Sequence, residues 1–237
     1  MLCRRSDVEV RIHDHAHEFT PLGQHFLSRT FRFLSLAVMA FLDKFNLEKQ
    51  VSFYLSYHSN PINKLLHLVC IWPILLSAVF LLCLTPPFVD QPLDSHHYVV
   101  VNYAFVAVLV YVVWYVILDP LAGSLAASFI IAMFCWSNHL IHESLAATGE
   151  TPWKTALAIH IAAWIIQFIG HGFFEKRAPA LLDSWDQAII TAPLFVLLEI
   201  LLPLGYRRDM NARVEKQVSL NVAKFRREQI ARKAKAG

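Results

Sequence analysis

The sequence predicts an all-α fold, a polytopic membrane bundle of four to five apolar helices, and two observations carry that prediction. Hydrophobic residues make up 56% of the chain and charged ones only 16%, too apolar a balance for an ordinary soluble domain. Apolar runs at Leu65 to Leu84, Tyr98 to Leu118, Leu121 to Ile141, Ala156 to Phe174 and Ala188 to Leu204 mostly approach the roughly 20 residues of a bilayer span. The fifth run is short. Of the four cysteines, three stand inside apolar runs and none forms a C-x-x-C pair, so no disulfide framework is expected.

Taken in order, residues 1–30 are polar and mixed in charge, with no apolar stretch near the start, which argues against a cleaved signal peptide. His13, His15 and His17 alternate within this stretch and read as part of a solvated extension. Phe31 to Leu42 is apolar but short and carries Arg32, which suits an interfacial helix. The first span is expected to begin at Pro61, because proline fits the first helical position and Ser59 or Asn60 can cap it. On that helix Asn63 and His67 are four apart and share a face, while His58 lies just before the cap. Two readings of this motif stand: a metal site, or a capping and hydrogen-bonding cluster at the membrane entry.

The loop after the first span has Asp90 and Asp94 and no Lys or Arg, which places it away from the cytosol; its His96 and His97 read as interfacial. Asp119-Pro120 ends the second span. Small residues from Ala122 to Ser128 open the third and allow close helix packing. At its far end His139, His142 and Glu143 have metal-compatible spacing but fall at the membrane face opposite His58 and His67. The fourth span returns to the cytosolic side and ends in His171 and Glu175, four apart on one face, a spacing suited to metal ligands. Alternating spans therefore bring His58, His67, His171 and Glu175 to one face. His160, Trp164, Gln167 and His171 mark one stripe, yet a straight helix separates His160 from His171 by about 16 Å. His160 joins the same site only if the backbone bends near Gly170, or if a second ion is present; otherwise it is a buried, bonded histidine.

Five full spans would put the two basic ends on opposite sides, so the last run is expected to be re-entrant or interfacial, or another run not to span. After Leu204 the chain holds ten Lys and Arg against three Asp and Glu. With no nucleic-acid fold beside it, this tail suits an anionic cytosolic membrane surface and not nucleic acid. It ends K-A-K-A-G, which resembles a cytosolic endoplasmic reticulum retrieval signal.

Y-H-S-N-P-I-N-K-L-L-H (57–67), H-I-A-A-W-I-I-Q-F-I-G-H-G-F-F-E-K-R-A-P-A-L (160–181) and A-P-L-F-V-L-L-E (192–199) together resemble the endoplasmic reticulum family of fungal 2-hydroxy fatty acid dioxygenases. The likeness covers about residues 45–205, and Cys70 departs from it at a position commonly glycine. What it implies is an Fe(II)-dependent enzyme of the endoplasmic reticulum membrane that uses O2 to shorten 2-hydroxy fatty acids by one carbon, the α-oxidation of phytosphingosine-derived acids. It places metal ligands at His58, His67, His160 and His171, with Asn60, Asn63, Gln167 and Glu175 beside them. Lys64, Lys176 or Arg177 could hold the substrate carboxylate or serve as membrane-edge cations. The expected organisation is an extension with an interfacial segment (1–44), a membrane-embedded catalytic domain (45–205) and a basic cytosolic tail (206–237). Two other classes compete: a non-enzymatic membrane scaffold or lipid-binding protein, and a metal transporter.

Overall fold

The computed structural model describes residues 38–39, 41–89, 97–179, 184 and 187–236. The expectations for His13, His15 and His17, for most of the Phe31 to Leu42 helix, and for Asp90, Asp94 and His96 lie outside the described residues. The chain divides into two units, Met1–Leu42 and Asp43–Gly237. In the first, Val38, Met39, Phe41 and Leu42 are helical and exposed.

The second unit is helical throughout, with no strand among its described residues. Its helices are α1 (Leu47–Tyr57), α2 (Pro61–Cys83), α3 (Tyr103–Leu118), α4 (Pro120–Thr148), α5 (Trp153–Ile169), α6 (Ala192–Leu201) and α7 (Arg208–Ala236). A π turn, Gly170–Glu175, extends α5, and another, Gln187–Thr191, leads into α6. Three helical stretches are long and apolar enough to cross a membrane, namely Pro61–Cys83, Pro120–Thr148 and Trp153–Glu175; Tyr103–Leu118 and Gln187–Leu201 are apolar but shorter.

Local chemistry sets these boundaries. Pro61 takes the first position of α2, as the sequence predicts, and of the two caps the sequence allows, Ser59 and Asn60, it is Asn60 that accepts from the amides of Ile62 and Asn63. The second apolar run begins at Tyr98, yet its helix starts only at Tyr103. Asn102 accepts from the amides of Ala104 and Phe105 while donating to the carbonyl of Cys83, so it caps one helix and anchors the end of another. The resulting 16 residues rise about 24 Å, less than the hydrocarbon thickness of roughly 30 Å.

Asp119 caps α4 through the amides of Leu121 and Ala122, and its fully buried carboxylate also accepts from Tyr206 Oη and Arg207 Nε. The α3–α4 reversal is so tight that a Cβ on Gly123 would lie 2.0 Å from the carbonyl oxygen of Tyr115. Close approach is thus what the small residues there provide. Residues 192–198 of α6 are all buried, as expected of a helix apolar on every side. They pack with Val51 and Tyr54 of α1, Val79 of α2 and Ile130 of α4 in one core. By contrast Val106, Leu109, Val110, Val113 and Ile117 of α3 stay exposed, an outward apolar surface suited to lipid. The basic segment after residue 206 forms α7, which lies along α1 with Val214 fully buried and Arg213 paired to Glu48.

Candidate metal centre

Three elements deliver one imidazole each to a common point: His58 from the corner after α1, His67 from the second turn of α2, and His171 from the first π turn. Donor atoms of the three lie within 4.8 Å of one another, and all three residues are buried. Ring centroids are 4.3 Å apart for His58 and His67, 5.0 Å for His58 and His171, and 4.9 Å for His67 and His171. Among the described residues this is the group able to share an ion.

The backbone fixes how two of the rings are used. His58 Nδ1 lies 2.7 Å from the carbonyl oxygen of Tyr54, and His67 Nδ1 lies 2.9 Å from that of Asn63. A carbonyl oxygen only accepts, so each Nδ1 carries the proton and each Nε2 keeps its lone pair. A backbone carbonyl behind the ring is the usual support of a metal-ligating histidine. His58 Nε2 and His171 Nδ1 are buried without a protein partner, a costly state unless something else binds them. Burial first, and then the neighbouring His67 and His171 rings, hold the His58 pKa well below its usual value, so the ring is neutral and fit to donate. Three imidazoles suit a divalent first-row metal.

Glu175 does not join the cluster as the four-residue spacing implied. Its Oε1 accepts from the amide (2.7 Å) and hydroxyl (2.6 Å) of Ser59, and its Oε2 from the amide of Asn60 (2.8 Å). The start of α2 presents free amides and a positive helix end, and these take the carboxylate. Glu175 is a latch joining the His171 turn to the His58 corner. Beyond it, the Arg177 amide donates to the carbonyl of His171, while its guanidinium lies 3.3 Å from the Tyr57 ring centroid and 4.3 Å from that of Phe225 on α7. Lys64 pairs with Glu199. Neither cation lines the cavity beside the rings.

His160 stands apart from the three. Trp164 Nε1 donates to its Nε2 (3.1 Å), so its Nδ1 carries the proton and donates to Ser77 Oγ (3.0 Å). Both nitrogens are engaged, and the π turn at Gly170 does not fold the helix back far enough to bring His160 into the cluster. It steadies Trp164, which lines the cavity. On the other side of the bundle, His142 stacks on His97 with centroids 3.5 Å apart, and His139 stacks on Tyr98 at 5.2 Å. Those rings, with Glu143, form no three-donor group among the described residues.

Asn60 is the α2 cap, and Asn63 supports His67 through its carbonyl. The Asn63 side chain, fully buried, meets Gly170, where an added Cβ would lie 2.4 Å from Oδ1 and 3.3 Å from Leu66 Cδ1. Alanine at 170 would gain about 1 kcal/mol of helix propensity, but it would overpack an enclosed amide at a cost of about 1–3 kcal/mol. Gly170→Ala is therefore expected to lower the melting temperature, and adding Asn63→Ala to recover part of the loss; an unchanged melting temperature would contradict the contact.

Gln167 donates through Nε2 to the carbonyl of Leu66 (3.3 Å), leaving Oε1 buried and unpartnered. It lines the cavity with the three histidines, Tyr54, Ile71, Trp164, Phe168 and Gln187. Free space there is about 40 Å³, room for an ion and a water or two but not for an acyl chain. Burial and then Glu199 push the Tyr54 phenol well above its usual range, so it remains a neutral donor, and its hydroxyl is unpartnered. Tyr54 and Gln187 escaped the sequence reading, for no spacing rule ties them to the histidine motifs.

A protein-family model described as 2-hydroxy-palmitic acid dioxygenase Mpo1-like matches residues 44–203. The chain is 29% identical over 181 residues to the 2-hydroxy-palmitic acid dioxygenase MPO1 of Saccharomyces cerevisiae, an alignment covering 76% of this chain and 94% of the yeast protein. No solved structure matches.

Proposed function

The chain belongs to the 2-hydroxy-palmitic acid dioxygenase Mpo1-like family, and from that premise we propose that it is an Fe(II)-dependent dioxygenase of the endoplasmic reticulum membrane that shortens 2-hydroxy fatty acids by one carbon. The observation that carries the proposal is the buried three-imidazole cluster, with two rings oriented by backbone carbonyls and their Nε2 lone pairs left for a metal. Iron held there would leave positions at which a 2-hydroxy acid and O2 meet, and would supply the redox chemistry for cleaving the C1–C2 bond. Membership supports the substrate class; the cluster supports the metal.

The chain's own groups complete the site. Burial keeps the His58 ring neutral, and the latch of Glu175 keeps the two halves of the cluster in register. Tyr54 offers a donor suited to a carboxylate oxygen. Ile71, Trp164, Phe168 and Ala192 make an apolar rim that excludes water and can take the first carbons of the chain, while the rest extends toward lipid. The cytosolic face, the catalytic role of residues 45–205 and the membrane-surface role of the tail belong to the same proposal.

Purification without oxygen, thorough chelation and reconstitution test it. Chelated protein is expected to release no shortened acid, and Fe(II), unlike Mg(II), to restore its formation. Activity that survives chelation, or returns equally with Mg(II), would remove iron from the proposal.

A further inference from the structure

The cavity beside the imidazoles has a second wall, and its polarity is set from a distance. Gln187 opens the second π turn, which α3 holds in place: Tyr111 and Tyr115 donate to the carbonyls of Ile189 (2.9 Å) and Ile190 (2.7 Å), and Trp114 donates to Thr191 Oγ1 (3.3 Å). The side chain is buried and lines the cavity. Gln187 Nε2 donates to Gln50 Oε1, and Gln50 Nε2 donates in turn to the carbonyl of Asp43 (2.9 Å).

This relay runs in one direction only. The Asp43 carbonyl can only accept, so it takes the amino group of Gln50; Gln50 then shows its oxygen to Gln187, which must answer with its own amino group. Gln187 Oε1 is left over, buried and without a partner. An unpaired buried acceptor is costly, and the group that relieves it must bring a proton.

We infer that Gln187 Oε1 reads the 2-hydroxyl of the substrate, with Gln50 as the residue that fixes its direction. The inference rests on the 2-hydroxy acid reading given above. A 2-hydroxy acid offers an O–H beside the carboxylate that the metal would hold. The unsubstituted acid offers only C–H there and leaves the acceptor unpaired; a 2-oxo acid sets a second acceptor against it. Sites built to bond a hydroxyl reject analogues lacking it much more strongly than apolar pockets discriminate by size. Gln167, the cavity's other free amide oxygen, leaves from the helix that carries His171 and has no such relay behind it.

The test measures affinities of 2-hydroxypalmitate, palmitate and 2-oxopalmitate by displacement of a fluorescent fatty acid from iron-loaded, full-length protein in nanodiscs without oxygen. The wild type is expected to prefer the hydroxy acid by about 10-fold or more. Gln187→Met should shrink that preference to about 3-fold or less, with iron content and palmitate affinity unchanged. Gln50→Met, outside the cavity, should reduce it partway by freeing the Gln187 amide to turn. A preference that persists in Gln187→Met, or that moves only with Gln167→Met, overturns the inference while product formation keeps the enzyme reading intact. A wild type that shows neither preference nor product overturns both. Should Gln187→Met lose iron or fail to fold, Gln50→Met decides, and an undiminished preference there overturns the inference.

Discussion

Replacing His171 by alanine is expected to abolish stoichiometric iron binding and to cut turnover by about 100-fold or more, while the metal-free protein melts close to the wild type. The two halves of this expectation have separate causes. Removing one of three ring donors leaves two, too few to hold an ion tightly at a buried site. In the metal-free protein, however, His171 Nδ1 is buried and unpaired, so losing the ring's packing is offset by relief of that unsatisfied group. Iron at 100 times its Kd should stabilise the wild type by about 2.7 kcal/mol and the variant hardly at all. Iron content by elemental analysis, with melting curves before and after loading, checks both. His160→Ala is the companion variant. It should keep its iron, because both nitrogens of His160 are already bonded to Ser77 and Trp164. Full iron in His171→Ala, or lost iron in His160→Ala, would redraw the ligand set.

That His58, His67 and His171 approach one another was legible in part, because alternation of the apolar runs is expected to return the end of the fourth to the face where the first begins; the same reasoning also drew in Glu175, and the ligand set, His160 included, came only from the family resemblance. The cap before Pro61 was legible because Asn60-Pro61 carries its geometry in two residues, whereas Asp119-Pro120 announced only the end of a helix and not that Asp119 caps the next one. The start of the second apolar helix was not. Asn102 caps it through the amides of Ala104 and Phe105, but its side chain is also tied to the carbonyl of Cys83, a partner 19 residues away that no local pattern names. Glu175 illustrates a different limit. Its spacing from His171 correctly places it near the site, but spacing on one helix cannot show that the free amides of another will claim the carboxylate. The Gln50–Gln187 relay spans 137 residues between two ordinary glutamines. The aromatic clamp on Arg177 likewise draws Phe225 from a segment whose basic composition announces only a surface role.

Replacing Glu175 by alanine should produce the opposite signature to His171→Ala, a loss of stability that is already present without metal. Three hydrogen bonds to a carboxylate tie the His171 turn to the start of α2, and two of those donors are backbone amides that no intrahelical acceptor can satisfy. Because Ser59 is exposed and water can replace part of the interaction, the expected cost is about 2–3 kcal/mol, below the sum of three charge-assisted bonds. With the latch gone, His171 is held less firmly against His58, and iron affinity should fall about 10- to 100-fold. Glu175→Gln sharpens the test: its amide oxygen can still accept from Ser59, but its amino group then faces the amide of Asn60, donor against donor. An intermediate melting temperature is expected. If Glu175→Ala instead leaves the metal-free melting temperature unchanged and removes only the iron, the carboxylate is a ligand and not a latch, and the cluster must rearrange on loading to recruit it.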